Sequence, residues 1–428
     1  MHKPRSPLIF IFLTVLIDLL GVGIVVPLLP FYVKLIEASS PPWIVANHAL
    51  IVGALTASFA LFQFLFAPVL GALSDRFGRR PVLLTSLLGT ASAYILFGLA
   101  ERFMPLGPEA VLAVLFVART AAGITGGSVS TAQAYIADVT TPENRARGLG
   151  MLGAAFGLGF MLGPAIGGLL STVSLSAPAF AAAALTLANV VFGFFNLPES
   201  LPADRRTTRL ASINPLRRLQ VVLGRTAIRP LLLGVLLLNL AFSTLQSNFA
   251  VFSTVRFGYG PPQIAMIFAF IGLLAVVTQG FLLRRLVPRF GEARLALTGM
   301  ALMTSGFALI TVVPSAWLLY PALGLLAVGS SLATPSLTSL ISRRVSANEQ
   351  GGTLGGTQSL TSLMLVVGPL MAGLLFDTVG PTAPYLSSAI LVTAAAGVLF
   401  IALRPEFSHG PAAPQPTSLQ AQVGALGD

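Results

Sequence analysis

The chain has 428 residues, 55% hydrophobic and only 9% charged, with a mean hydropathy of +0.87. A soluble domain carries about 25% charged residues, so this composition excludes a soluble globular protein and indicates an integral membrane protein. The net charge is +11 and there is no cysteine, which excludes disulfides, cysteine-ligated zinc and iron–sulfur clusters.

A membrane-spanning helix needs about 20 apolar residues. Apolar runs between charged or Pro/Gly breaks predict twelve spans: 8–34, 49–73, 81–100, 110–136, 146–171 and 177–197, then 228–255, 262–286, 294–314, 316–341, 350–376 and 383–403. The first begins like a signal peptide, "MHKPRSPLIFIFL". Its apolar run is longer than a signal core and contains Asp18, so an uncleaved first helix is expected. The stretch 198–227 is the longest hydrophilic insertion and separates six spans from six. Within it, "PLRRLQVVLGR" has the pattern of a short amphipathic interfacial helix. The expected organisation is a bundle over 1–197, a linker over 198–227, a second bundle over 228–404 and a disordered polar tail over 405–428.

Charge placement tests the span count. With the N-terminus in the cytoplasm, Lys34, Arg102 and Arg256 fall outside and Arg119 lies within a span. All the other lysines and arginines fall inside, as the positive-inside rule demands. Both termini are therefore expected in the cytoplasm. The basic charge is spread over short loops, and no hydrophilic stretch is long enough to build a nucleic-acid groove.

The halves repeat one another weakly. "LGPAIGG" (Leu162 to Gly168) returns as "VGPLMAG" (Val367 to Gly373), and "RTAAGITGGS" pairs with "LLAVGSSLAT", Gly123 against Gly329. Two six-helix repeats suggest a rocker around a midplane site.

The most specific stretch is "GALSDRFGRRPVLL", Gly71 to Leu84, in the loop between spans two and three. Its order Gly71-x-Leu73-x-Asp75-Arg76-x-Gly78-Arg79-Arg80 resembles the signature loop of the major facilitator superfamily. Arg119 in "ARTAAGITGG" resembles the fourth-helix arginine motif of proton-coupled members, and "GLGFMLGPAIGG" (Gly157 to Gly168) resembles the fifth-helix motif of antiporters. The first half further resembles the bacterial tetracycline-efflux proteins in "ALFQFLFAPVLGALSDRFGRRPVLL" and "AYIADVTTPENRARGLGMLGAAFGLGFMLGPAIGG". The resemblance implies an all-α polytopic fold of two pseudo-symmetric six-helix bundles. It also implies a drug:proton antiporter of the bacterial inner membrane that works as a single chain. Its partners would be a lipophilic small molecule, protons and the bilayer, with no cofactor beyond the proton gradient and no metal.

Each candidate residue carries a plain structural reading beside the functional one. Asp75 is a local helix cap or, as the resemblance implies, a cytoplasmic latch. The latch would rest on the start of helix eleven, "EQGGTLGGTQ", together with Gly71, Arg76, Gly78, Arg79 and Arg80. Gly159, Gly163 and Gly167 recur every four residues, a spacing that allows close helix packing. With Pro164 and Gly168 they are expected to form a smooth interface between the halves. Asp18 and Arg119 are the formal charges deepest in the membrane. Asp18 sits about ten residues, roughly 15 Å at the helical rise, from the cytoplasmic end. A buried charge there costs several kcal/mol unless paired or hydrated, so both are candidates for proton coupling; Arg119 bonded only to neighbouring carbonyls is the alternative. Gln63, and Asn239, Ser243 and Gln246 on one face of helix seven, either line a substrate cavity or tie helices together.

The second half departs from the efflux pattern. Where that family has a helix-eight histidine and a helix-nine aspartate, this chain has Ala275 and Met303, while Asp377 lies near the outer end of helix eleven. Coupling is therefore expected to rest on the first half. The leading reading is a secondary-active exporter of amphiphilic drug-like molecules by proton antiport. The rival in the same fold is a facilitator or symporter of a small organic solute. An intramembrane enzyme or lipid scramblase fits less well, because no nucleophile–base pair or metal cluster stands out. The only lysines are Lys3 and Lys34, so there is no Walker loop for ATP.

Overall fold

The computed structural model describes residues 7–140, 142–206, 220, 223–224, 226–345 and 347–408. The described regular structure is helical throughout. The first half contains α1 (Pro7–Val25, continued as Leu29–Ile36), α2 (His48–Phe77), α3 (Arg79–Gly98), α4 (Pro108–Thr125, resumed as Ser128–Val139), α5 (Pro142–Leu170) and α6 (Ala177–Asn196). The second contains α7 (Arg229–Phe257), α8 (Pro261–Val277), α9 (Leu283–Val312), α10 (Leu319–Arg343), α11 (Ala347–Thr378) and α12 (Ala383–Ser408).

Ten of the described helical runs are long and apolar enough to cross a membrane. One of them, Pro261–Val312, is 52 residues long and contains both α8 and α9; the fold-back, at Gly291 (φ 75°), lies inside α9, so the residues of α9 before it continue α8. In α5 the apolar part, Gly157–Leu170, is a shorter apolar helix at the place of the expected fifth span. Most of the linker, including much of the expected interfacial helix, and the tail after 408 lie outside the described residues. The backbone of α12 continues to Ser408, beyond the expected end at 403.

The chain turns at Gly78 (φ 104°) and Gly291 (φ 75°). Both are conformations that a side chain resists, and both follow Arg-Phe: Arg76-Phe77-Gly78 and Arg289-Phe290-Gly291. The short loop of each half thus turns on the same residues. The two loops mark the motif end of the molecule, opposite its far end.

Contact between the halves rests mainly on two helix pairs, α2 with α11 and α5 with α8. The Gly-Pro repeat explains why. Gly168 at the far end of α5 faces Pro261 and Ala265 at the start of α8; Gly373 at the far end of α11 faces Ala49 and Leu50 at the start of α2. Gly163 lies against Gly23 of α1, and Gly368 against Ser243 of α7. The two motifs therefore do equivalent work, one in each half. Apolar cores form inside each half, and the half-buried Phe376 packs against both.

Packing differs between the two ends. A Cβ on Gly53 of α2 would come within 2.3 Å of the Pro369 carbonyl of α11, and one on Gly373 within 2.5 Å of the Ala49 carbonyl. A Cβ on Gly71 or Gly355, toward the motif end of the same two helices, would meet nothing within 4 Å. The two helices are in close contact at the far end, whereas Gly71 and Gly355 toward the motif end border open space.

Candidate functional site

The site is built around a break in α4. The helix stops at Thr125, unwinds over Gly126 and Gly127, and resumes at Ser128. Glycine tolerates the unwinding, but the freed backbone groups need partners in a membrane. Three neighbours supply polar groups. Gln63 of α2 donates its amide to the Gly126 carbonyl at 2.8 Å, and Thr90 of α3 meets the Thr125 hydroxyl at 3.0 Å. From the resumed helix, the Ser128 hydroxyl donates to Asp18 Oδ2 of α1.

Asp18 is 6% exposed and Arg119 2%. Arg119 lies on α4 before the break. Its Nε donates to the Leu55 carbonyl at 3.2 Å and its guanidinium rests over the Phe59 ring at 4.6 Å. Its Nη2 is buried without a hydrogen-bond partner. Among the described residues the two charges form no ion pair. Tyr94 of α3 stands within electrostatic reach of both. Gly21, three residues beyond Asp18, lets α1 approach that tyrosine: a Cβ there would lie 2.9 Å from its hydroxyl oxygen.

Further polar groups line the same region. Asn189 of α6 donates to the Thr14 carbonyl at 3.0 Å, and Thr14 precedes Asp18 by one helical turn. Thr14 Oγ1, Thr131 Oγ1 and Asn189 Oδ1 are buried with no partner. Orphaned polar atoms in a protein interior are the usual seats of bound water.

At the motif end, Asp75 pairs with Arg79 at 2.5 Å, and Arg79 Nε reaches Asp138 at 3.0 Å. Glu199, just after α6, accepts from the Arg79 and Arg80 amides at 2.8 and 3.2 Å and so caps α3. Arg80 bonds the Phe194 carbonyl. Arg76 lies over the Phe77 ring at 5.2 Å. No bond from Asp75 to α11 is present among the described residues.

The glycine face of α5 is turned differently from expectation. Cβ atoms on Gly159, Gly163 and Gly167 would lie 2.7–2.8 Å from Leu19, Gly23 and Ile24 of α1, inside the same half. Gly168 and Met161 face the other half instead, against Ala265 and Gly272 of α8. Four-residue spacing defines a close-packed face but does not name the neighbour. Pro164 is accommodated within α5, close to Gly23.

Of the candidate cavity residues, Ser243 bonds the Met364 carbonyl of α11 at 3.0 Å, and Asn239 donates to Val235 one turn back. Gln63 holds the α4 break. Gln246 is half-buried. Met303 is fully buried, and Ala275 half-buried on α8. No cluster of three or more metal-ligating side chains exists among the described residues. Glu199, Asp138 and Asp377 were not singled out by the motifs. The Arg-Phe-Gly repeat would have paired the two short loops, but nothing local marks Glu199 as a cap.

Two helical halves around a broken helix with intramembrane charges define a membrane transporter. The chain belongs to the Major Facilitator Superfamily, whose family model matches residues 11–294 and 280–425. It is 38% identical over 369 residues to the class C tetracycline resistance protein of Escherichia coli, covering 86% of this chain and 89% of that one. It is 29% identical over 396 residues to multidrug resistance protein 2 of Bacillus subtilis (strain 168), covering 88% and 90%. Among solved structures it resembles the human organic anion transporter MFSD10 (TETRAN), with a TM-score of 0.70, 27% identity and coverage of 93% of this chain and all of that one. The nucleoside transporter NupG shares the fold, with a TM-score of 0.66 at 13% identity.

Proposed function

We propose that this protein is a secondary-active exporter of lipophilic or amphiphilic small molecules, driven by inward proton flow across the bacterial cytoplasmic membrane. The motif end faces the cytoplasm in this reading, so the structure corresponds to an inward-facing state. The observation that carries it is Asp18, a buried carboxylate bonded by Ser128 where α4 unwinds. Asp18 takes the proton, and Arg119, whose Nη2 has no hydrogen-bond partner among the described residues, acts on the site through Tyr94, which lies within electrostatic reach of both charges. Resistance proteins for tetracycline and for multiple drugs among its relatives support a drug-like cargo. The chain's Ala275 and Met303 argue against a second-half proton path.

The test is uptake of lipophilic dyes into inverted vesicles under an imposed pH gradient, for wild type and Asp18→Asn. Gradient-driven accumulation that Asp18→Asn abolishes supports the reading. Accumulation that survives in the variant removes Asp18 as proton carrier. Saturable equilibration independent of the gradient assigns the protein instead to the facilitators.

A further inference from the structure

At the far end, the close packing of α2 against α11 is joined by a side-chain hydrogen bond between them. Asp377, near the end of α11, accepts from the Leu50 amide at 2.7 Å and from the Ala49 amide at 3.2 Å, both in the first turn of α2. Those amides have no partner within their own helix; the first helical bond of α2 is donated by Ile51, to Asn47. A carboxylate on a helix N-terminus meets both unpaired donors and the positive end of the dipole. The bond crosses from one half to the other. His48, the preceding residue, is held by Glu37 at 2.6 Å, so the acid neighbouring this contact is itself paired. Phe376 beside Asp377 packs against the apolar cores of both halves.

Helices α2 and α11 run antiparallel. Each carries an aspartate near its end: Asp75 at the motif end of α2, Asp377 at the far end of α11 against the start of α2. In this structure the far contact is made, whereas Asp75 pairs with Arg79 of its own half. The Gly-Pro register places Thr172, just past the end of α5, where Asp377 stands on α11. Thr172 bonds only the Leu169 carbonyl one turn back. Among the described residues the α5–α8 pair shows no such bond, so the carboxylate distinguishes α2–α11.

We propose that Asp377 is the outer gate latch of the transport cycle. It holds the far end shut while the motif end is open, and its release is required before the halves rock. The proposal rests on the alternating-access reading above, but not on the cargo or on proton coupling.

The chain has no cysteine, so introduced ones report cleanly. Spin labels at Val45 and Val379, both exposed at the far end, give the gate distance. A single cysteine at Gly71, where a Cβ meets open space, gives maleimide access at the motif end. In Asp377→Asn the far-end distance distribution gains a longer population. Amide hydrogen exchange at Ala49 and Leu50 rises at least tenfold, and labelling at position 71 falls at least threefold. Thr378→Val, the adjacent control, changes none of these. Faster exchange with an unchanged distance and unchanged labelling would reduce Asp377 to a local cap and overturn the proposal. Unchanged exchange would overturn it outright. Should Asp377→Asn not insert, Asp377→Ser is read the same way, since a neutral hydroxyl also lacks the charge on the dipole. These readouts need no substrate, so an undriven dye assay leaves them interpretable.

Discussion

Ser128 donates its hydroxyl to the Asp18 carboxylate across the α1–α4 contact, one residue after α4 has unwound. The bond joins a charge that is costly in lipid to a helix that has given up its own hydrogen bonding. Each defect answers the other. Ser128→Ala removes the donor while leaving the backbone free to keep its path. A hydrogen bond to a charged group contributes about 1.5–3 kcal/mol, roughly a tenfold change per 1.4 kcal/mol. Proton-driven dye export is expected to fall about tenfold or more, with insertion and fold unchanged. Initial rates in energised vesicles check it, and wild-type rates would show that Asp18 works without this partner.

Gln63 makes a separate prediction about the break itself. Its amide is the side-chain partner of the Gly126 carbonyl. Gln63→Leu keeps the bulk and strands a buried acceptor, at a cost of about 1–3 kcal/mol. The solubilised protein should unfold at a lower temperature than wild type, and Gln63→Leu should bind dye more weakly because the unwound segment is displaced. Equal Tm values would mean that water replaces the side chain.

Much of this architecture was legible in the sequence, and the exceptions have physical causes. Hydropathy and arginine placement located the spans, because lipid leaves a spanning segment no alternative to helix. The pairing of "LGPAIGG" with "VGPLMAG" held in three dimensions: both motifs seat the first turn of a helix from the other half. The interruption at Gly126–Gly127 was invisible, since two glycines do not lower hydropathy and the group that satisfies the break, Gln63, is 63 residues away. The α5 glycines advertised a close contact without saying that it was with α1. Asp377 looked like an edge residue because its partners are backbone amides, and a backbone donor leaves no mark in the sequence.

Arg119 separates charge from shape. Lysine at this position keeps the charge but loses the Nε bond to Leu55 and the flat stacking on Phe59. Arg119→Lys should insert normally and retain a reduced gradient-driven export, whereas Arg119→Gln should abolish it. Full activity in Arg119→Gln would confine the residue to tying α4 to α2.

The glycines of α2 report which end is closed. A methyl on Gly53 collides with the Pro369 carbonyl at 2.3 Å, while one on Gly71 meets nothing. Gly53→Ala should therefore destabilise the state described here and shift the protein toward the opposite opening, seen as reduced maleimide labelling of a motif-end cysteine. Gly71→Ala should leave this state and its thermal stability unchanged. If the two halves close over Gly71 in the other state, Gly71→Ala will slow transport without altering labelling at rest. A variant that is neutral in stability but impaired in flux would place Gly71 in the contact that forms during the cycle. Wild-type flux would mean that the motif ends never approach closely enough to exclude a methyl group.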